Sequence, residues 1–496
     1  MGLLDLPLEL LDQIITLTLP SGIENFALAS KVVYTRAASQ IQRHNSLKRQ
    51  WNHAIITREN SLQTLYDLSQ EPLVAKYITS PTLWGEEEPD DYGGPPPLDS
   101  AESKVIERTV KESGYLQVAG VDADDWFDKM EERMHETRVR DGHDGGLLYT
   151  AVSLLTQLPN LKSLALWPGW ADAPLNNPPS HDDSNLLAAV LNALVQRANQ
   201  DTTALAPLAQ LEVILPFMRQ GYDERAGLQV LEPFLRLKSL RELYAVSCLA
   251  VDDGYTGIPF QWTTADSVSQ LRRIELAYCC LDADGISTLV SRTPCLEVFR
   301  YSHETKWHGC QHDWNPGAFI EALARHCSET IIDFSLTVDE LFGEIENGAS
   351  TFLSFKRLLD LEVDVLIFRG PPLESGQRRG EVAIGPAPGQ RDWAEVDIPC
   401  VGSMLPPSIH RVTINSDFPD PDKQALEALL KNLKQQRAER LTSLEFILVR
   451  DAEDARPFCE RAGAELEVFD AGSIGKTMRP AWKRAFAQRV GGIEFT

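Results

Sequence analysis

Two apolar stripes run along the first predicted helix. Leu8, Leu11, Ile15 and Thr18 recur at helical spacing, and Leu10, Ile14 and Leu17 form a second stripe on another face. Pro7 suits the first turn of a helix, where its missing N–H is not needed. A short helix apolar on two faces must bury both: one against its own small domain, the other against a partner. Ser21-Gly22-Ile23-Glu24 has the form of a capping box opening a second helix, with Phe26 and Leu28 as core residues. A basic helix follows, carrying Lys31, Arg36, Arg43, Lys48 and Arg49. Residues 1–50 thus read as a compact helical domain. Residues 51–146 read as a helical connector, with Leu62, Leu65, Tyr66 and Leu68 and then Trp126, Phe127 and Met130 as apolar positions. The acidic, Gly/Pro-rich stretch near 84–100 predicts a flexible loop within it.

From Leu147 the period changes. Leu161-Lys-Ser-Leu164-Ala-Leu166 and Leu271-Arg-Arg-Ile274-Glu-Leu276 share the form L-x-x-L-x-L. Looser copies stand at Leu240/Leu243/Ala245, Leu296/Phe299/Tyr301, Ile331/Phe334/Leu336, Leu358/Leu361/Val363, Ile409/Val412/Ile414 and Leu444/Ile447/Val449. Leu240…Cys248 and Leu271…Cys279 extend the pattern to a ninth-position cysteine. Amphipathic segments lie between, at 185–199, 227–237, 285–291, 317–327 and 422–437. Strand followed by helix, repeated, predicts an irregular α/β leucine-rich-repeat solenoid over 147–470. The Gly/Pro-rich stretch 370–398 would be an exposed loop insertion, and 471–496 a capping segment with a basic helix.

The N-terminal segment Leu6-Pro7-Leu8-Glu9-Leu10-Leu11 resembles the opening of an F-box. That family begins L-P-x-E followed by two aliphatic residues, and Leu6, Pro7, Glu9, Leu10 and Ile14 fall on the pattern. Phe26, Leu28, Ala29, Lys31, Val33 and Tyr34 fall on its later positions. Ala29-Ser30-Lys31 stands where the family usually has Val-Cys-Lys or Val-Ser-Arg, and no Trp follows directly. The match covers roughly 35–45 residues and precedes the repeat pattern, a combination similar to the F-box/leucine-rich-repeat proteins of fungi. The resemblance implies a three-helix domain that docks on a Skp-family adaptor and its cullin scaffold. It makes Leu6, Pro7, Glu9, Leu10 and Ile14 the adaptor-binding residues. The repeat would hold a substrate protein, so the chain would be a non-enzymatic substrate receptor of an SCF-type ubiquitin ligase. A scaffold with no ligase role, its N-terminal helices serving as a cap, is the alternative; a cap needs a polar outer face, which the second stripe lacks.

Charge narrows the partners. With 47 Lys+Arg against 72 Asp+Glu, the net charge is -25, which repels phosphate backbones and anionic lipid heads. Neither nucleic acid nor membrane is expected as a partner. The eight sparse cysteines form no C-x-x-C pair, and no apolar run is long enough to span a bilayer. Together with a start that lacks the form of a signal peptide, this reads as an intracellular protein, cytoplasmic or nuclear.

Candidate chemistry is thin. Asp470–Thr477 half-matches a phosphate-binding loop, but Asp470 puts a carboxylate where the first glycine belongs. His303, His308, Cys310 and His312 cluster without the spacing of a standard zinc finger. His326 and Cys327 are neighbours whose side chains diverge on a helix. No catalytic residue, metal or cofactor is therefore expected. The aromatic residues Trp167, Tyr244, Tyr278, Tyr301 and Trp307 lie on or just after predicted strands. They are candidates for the substrate-binding face, with core packing as the equal alternative.

Overall fold

A computed structural model describes residues 6–57, 59–83, 100–134, 145–175, 182–203, 205–252, 257–265, 267–306, 312–416, 423–468 and 480–491. The chain divides into two compact units, Met1–Val213 and Ile214–Thr496.

The first unit is mainly helical. It opens with α1 (Leu8–Leu17), α2 (Ile23–Leu28), α3 (Lys31–Arg36) and α4 (Ala38–Trp51). The expected three-helix domain is therefore corrected to four: the predicted basic helix breaks after Arg36, where Ala37 caps one helix and opens the next. The predicted capping box does not form. Gly22 is the N-cap of α2 and no side chain caps it, while Glu24 is drawn to Lys48 at 2.9 Å. Ser30, by contrast, caps α3 by accepting from Val32 N–H at 3.2 Å.

The unit continues through β1 (Ile55–Ile56), α5 (Ser61–Gln70), α6 (Pro72–Ala75) and β2 (Thr82–Leu83), then α7 (Ser100–Lys111), α8 (Gly114–Ala119), α9 (Ala123–Met134) and α10 (Gly145–Leu155). It ends on β3 (Ser163–Ala165) and α11 (Asp182–Gln200). β1–β2 and β2–β3 pair in parallel. Trp126 and Met130 of α9 are buried, the Trp126 ring edge-on to Tyr149 of α10 at 4.7 Å.

After β4 (Val213–Leu215), the second unit is built on parallel strands. These are β5 (Ala226–Gly227), β6 (Glu242–Val246), β7 (Cys248–Ala250), β8 (Arg273–Leu281), β9 (Val298–Glu304), β10 (Asp333–Glu340), β11 (Asp360–Asp364), β12 (Arg411–Asn415), β13 (Phe446–Asp451) and β14 (Glu465–Val468). Between them lie α12 (Glu232–Leu235), α13 (Ala283–Val290), α14 (Pro316–Cys327), α15 (Val401–Met404), α16 (Lys423–Leu430), α17 (Leu433–Glu439) and α18 (Arg456–Ala462). The chain's last described helix is α19 (Ala481–Arg489).

Every L-x-x-L-x-L anchor set in this unit makes a strand. Register aligns Leu243, Ile274, Phe299, Phe334, Leu361, Val412 and Ile447 in one row across β6, β8, β9, β10, β11, β12 and β13. All seven are buried. The expected solenoid nevertheless does not form. The fold class is α/β, an all-parallel sheet with interleaved helices. The reason lies in the connections, which do not repeat. β8 reaches β9 through α13 and β9 reaches β10 through α14, but β10 reaches β11 with no helix and β11 reaches β12 through short 3-10 turns and the single turn of α15. The motif marks a buried parallel strand, and such a strand does not dictate its crossover. The predicted helix 227–237 is likewise mostly a 3-10 turn (Leu228–Leu231) and one α-turn. The 422–437 segment splits into α16 and α17 at Asn432, whose φ is 60°.

The opposite sheet face carries a second row, one residue along. Tyr244, Glu275, Arg300, Ser335, Glu362, Thr413 and Leu448 are register partners from β6 to β13. One face is thus an apolar ladder and the other largely polar and ionic. Side chains alternate between faces along each strand.

Candidate functional site

The first site is the exposed side of the N-terminal helices. Pro7 precedes α1, and its carbonyl accepts from Leu10 and Leu11 N–H at 3.1 Å each. Leu11 and Ile15 turn inward and form a core with Leu19, Ile23, Val33 and Ala37. A bidentate Arg36–Asp12 pair, at 2.7 Å for each bond, ties α3 to α1. That hydrogen bond, helped by the guanidinium charge, holds the Asp12 carboxyl below its usual range. In α4, His44 is buried and hydrogen-bonds Tyr77 Oη at 3.0 Å. Burial pushes the Tyr77 phenol up to about 12.

Among the exposed side chains of these helices are several large apolar ones. Leu10 is 44% exposed and Leu17 82%, with Ile14 half-buried between them. Leu28 of α2 is 80% exposed and Tyr34 of α3 56%. Pro7 and Glu9 are exposed and Leu6 half-buried. Beside this surface, Leu8, Asp12, Ile15, Val32, Arg36 and Gln40 line a groove of about 890 Å³ between α1 and the α3–α4 region. Fully burying one large apolar side chain is worth about 1.5–3 kcal/mol. Several such residues on one short segment are a surface suited to a protein partner. The buried positions Leu11 and Ile15 and the outer stripe of Leu10, Ile14 and Leu17 were legible in the sequence, but Leu8, grouped by spacing with Leu11 and Ile15, is 52% exposed. Leu28 was not legible: the pattern placed it in the core, and the structure puts it outside.

The aromatic candidates are a correction. Trp167, Tyr244, Tyr278 and Tyr301 are all buried, so they do not line an open recognition face. Trp167 packs edge-on against Trp170 at 5.5 Å. Tyr301 belongs to the apolar, helix-covered face; its Oη accepts from Leu281 N–H at 2.9 Å and donates to the Cys279 carbonyl at 3.0 Å. Tyr244 lies on the polar face, but Phe486 of α19 covers it at 5.8 Å. Tyr278 adopts φ 56° at a break in the β8–β9 register, and its ring lies 3.4 Å from Lys483 Nζ. Trp307 lies outside the described residues, as do His308, Cys310 and Asp470–Thr477.

The remaining chemical candidates pack as structure. His303 is buried and stacks on Trp314 at 4.4 Å. Among the described residues no group of three or more His, Cys, Asp or Glu is placed to hold a metal. Burial pushes the Cys327 thiol up to about 11, far from a thiolate at neutral pH. Cys248 and Cys279 are both buried, and Cys279 Sγ accepts from Cys248 N–H at 3.2 Å. The ninth-position cysteines therefore tie one strand end to the next.

A second feature was missed: the ionic face of the sheet in the second unit. Glu275 of β8 is fully buried and meets Arg273 at 2.6 Å and Arg300 at 3.4 Å. Arg300 also pairs with Asp333 at 2.6 Å. Further along, Arg450 of β13 bridges Glu362 and Glu467 at 2.8 Å each. Part of the signal was in the sequence: three of the seven sets carry a charged residue between their last two anchors, at Glu275, Arg300 and Glu362. Nothing local to these residues shows that a distant segment covers them.

Among the described residues, no helix is long and apolar enough to cross a membrane. The α/β fold and the exposed apolar face are thus the two defining features. Compared with protein-family models and with curated proteins, the chain matches none.

Proposed function

We propose that the chain is a substrate-receptor subunit of an SCF-type ubiquitin ligase. Its N-terminal helices would dock a Skp-family adaptor, itself joined to a cullin scaffold, and its parallel-sheet unit would hold the protein to be modified. The observation that carries this reading is the two-sidedness of α1. One stripe, Leu11 and Ile15, is spent on the local core, while Leu10 and Leu17 stay exposed with Ile14 half-buried between them. Three of the residues that match the F-box opening, Pro7, Glu9 and Leu10, are exposed. No reaction by the chain itself enters this reading; the receptor's work is to bury apolar area against one partner while holding another.

The test is co-purification of the full chain with a Skp-family adaptor, beside a Leu10→Asp, Ile14→Asp variant. A carboxylate placed in an apolar interface must be desolvated without a partner, so the wild type is expected to retain the adaptor and the variant to lose at least ten-fold in affinity. Absence of wild-type binding would leave the scaffold reading in its place. Undiminished binding by the variant would move the interface elsewhere.

A further inference from the structure

The last described helix sits where a ligand would. α19, with sequence AWKRAFAQR, carries three cations and no acid. It lies on the ionic face of the sheet; its partners on β8, β10 and β11 are more than 100 residues distant in sequence, while Arg484 also comes within 4.0 Å of Glu467 of β14. Ala481 and Trp482 N–H, at its N-terminus, donate to the two carboxylate oxygens of Glu362 at 2.7 and 3.1 Å. This is a helix N-terminus meeting an anion. Lys483 pairs with Asp339 of β10, and Arg489 pairs with Glu275 of β8. Trp482 and Phe486, four residues apart and both buried, fill the space between these ion pairs.

We propose that this face is a binding site for a basic, aromatic helix of a partner protein, and that α19 is the chain's own exchangeable occupant of it. The recognised segment has aromatic residues at i and i+4 and cations at i+1 and i+7. Three observations carry the proposal. The contacts come from separate strands and converge on one short helix, which is the geometry of helix-in-groove recognition. The sheet groups that the charged and N-terminal groups of α19 meet, Glu275, Asp339 and Glu362, are all acids, although Glu275 and Glu362 also pair with Arg300 and Arg450 of the sheet. And α19 leaves acceptor capacity unused: the second carboxylate oxygens of Glu275 and Asp339 are buried with no hydrogen-bond partner among the described residues. Buried acceptors without donors are costly, so a partner helix with further donors competes effectively with the resident one. The proposal does not depend on adaptor docking by α1.

The probe is a fluorescein-labelled peptide of residues 480–490, titrated against full chains by fluorescence anisotropy. In the wild type the resident helix competes and binding is weak. A Trp482→Ala, Phe486→Ala variant weakens the resident helix and is expected to bind the peptide at least ten-fold more tightly. A Lys483→Glu, Arg489→Glu variant, which repels its own helix, is expected to do the same. Adding Glu362→Gln and Asp339→Asn to either variant is expected to return binding to the wild-type level. Circular dichroism melts accompany each chain. Equal peptide binding by wild type and folded variants overturns the proposal. So does equal binding of a scrambled peptide. So does loss of cooperative folding in both resident-helix variants, since α19 is then a fixed part of the core and not an occupant.

Discussion

Asp364 shows how far the ionic sheet face departs from a solvated one. It ends β11, is 3% exposed, and accepts from Val338 N–H at 2.7 Å. Burial pushes its carboxyl well above the usual range, outweighing that hydrogen bond and one to Asn415, which act the other way. A carboxyl raised on folding binds its proton more tightly in the native state. Its stabilising contribution is complete below the ordinary carboxylate range and is lost as pH rises through the raised value. Asp364→Asn keeps an acceptor for Val338 and removes the titration. Urea denaturation at several pH values is expected to show the variant losing less stability than the wild type as pH rises from 4 to 8. Parallel pH profiles for the two chains would refute the assignment. Glu304, raised chiefly by burial and eased by its ion pair with Lys306 at 2.8 Å, contributes a slope of the same sign.

At the scale of elements, α1 separates a buried stripe from an exposed one within ten residues. Leu11 is 2% exposed inside the local core, and Leu17 is 82% exposed. Leu11→Ala is expected to destabilise the N-terminal segment by about 2–5 kcal/mol, as for other buried large-to-small changes. Leu17→Ser is expected to shift stability by less than about 0.5 kcal/mol while weakening adaptor binding. Thermal melts and adaptor titration of both variants check the division; a Leu17→Ser chain as unstable as Leu11→Ala would place that side chain in a core.

Elements of this kind were legible because local burial leaves a period in the sequence. The anchors Leu243, Ile274, Phe299 and Phe334 announced their strands, and Leu11 with Ile15 announced the inner face of α1. What was illegible depends on partners distant along the chain. The solenoid expectation failed because strand periodicity says nothing about whether the next crossover is α14 or the helix-free stretch from β10 to β11. The aromatic candidates failed because Tyr244 and Tyr278 look like exposed recognition residues until α19 covers them. At the proposed docking surface, the stripe of Leu10, Ile14 and Leu17 was readable, but the exposure of Leu28 depends on how α2 packs and has no local signature.

At the scale of the whole molecule, the proposed partners would be recognised by different forces, charge at one surface and apolar burial at the other. A net charge of -25 would favour a basic partner and make its association rate fall with salt. The N-terminal face carries little of that dependence, since Leu10, Leu17, Leu28 and Tyr34 would bind by burying area. Adaptor affinity is therefore expected to change less than peptide affinity for the sheet face between 50 and 500 mM salt. Equal salt sensitivity at both surfaces would contradict this separation.

The most direct measurement is hydrogen–deuterium exchange on the full chain, alone and saturated with a purified Skp-family adaptor. Adaptor docking through the N-terminal helices predicts slowed exchange across Leu8–Leu17 and Leu28–Arg36, with the strands β8 to β13 unchanged. Exchange in those helices that stays the same while the adaptor is bound, or no bound adaptor at all, would contradict the account.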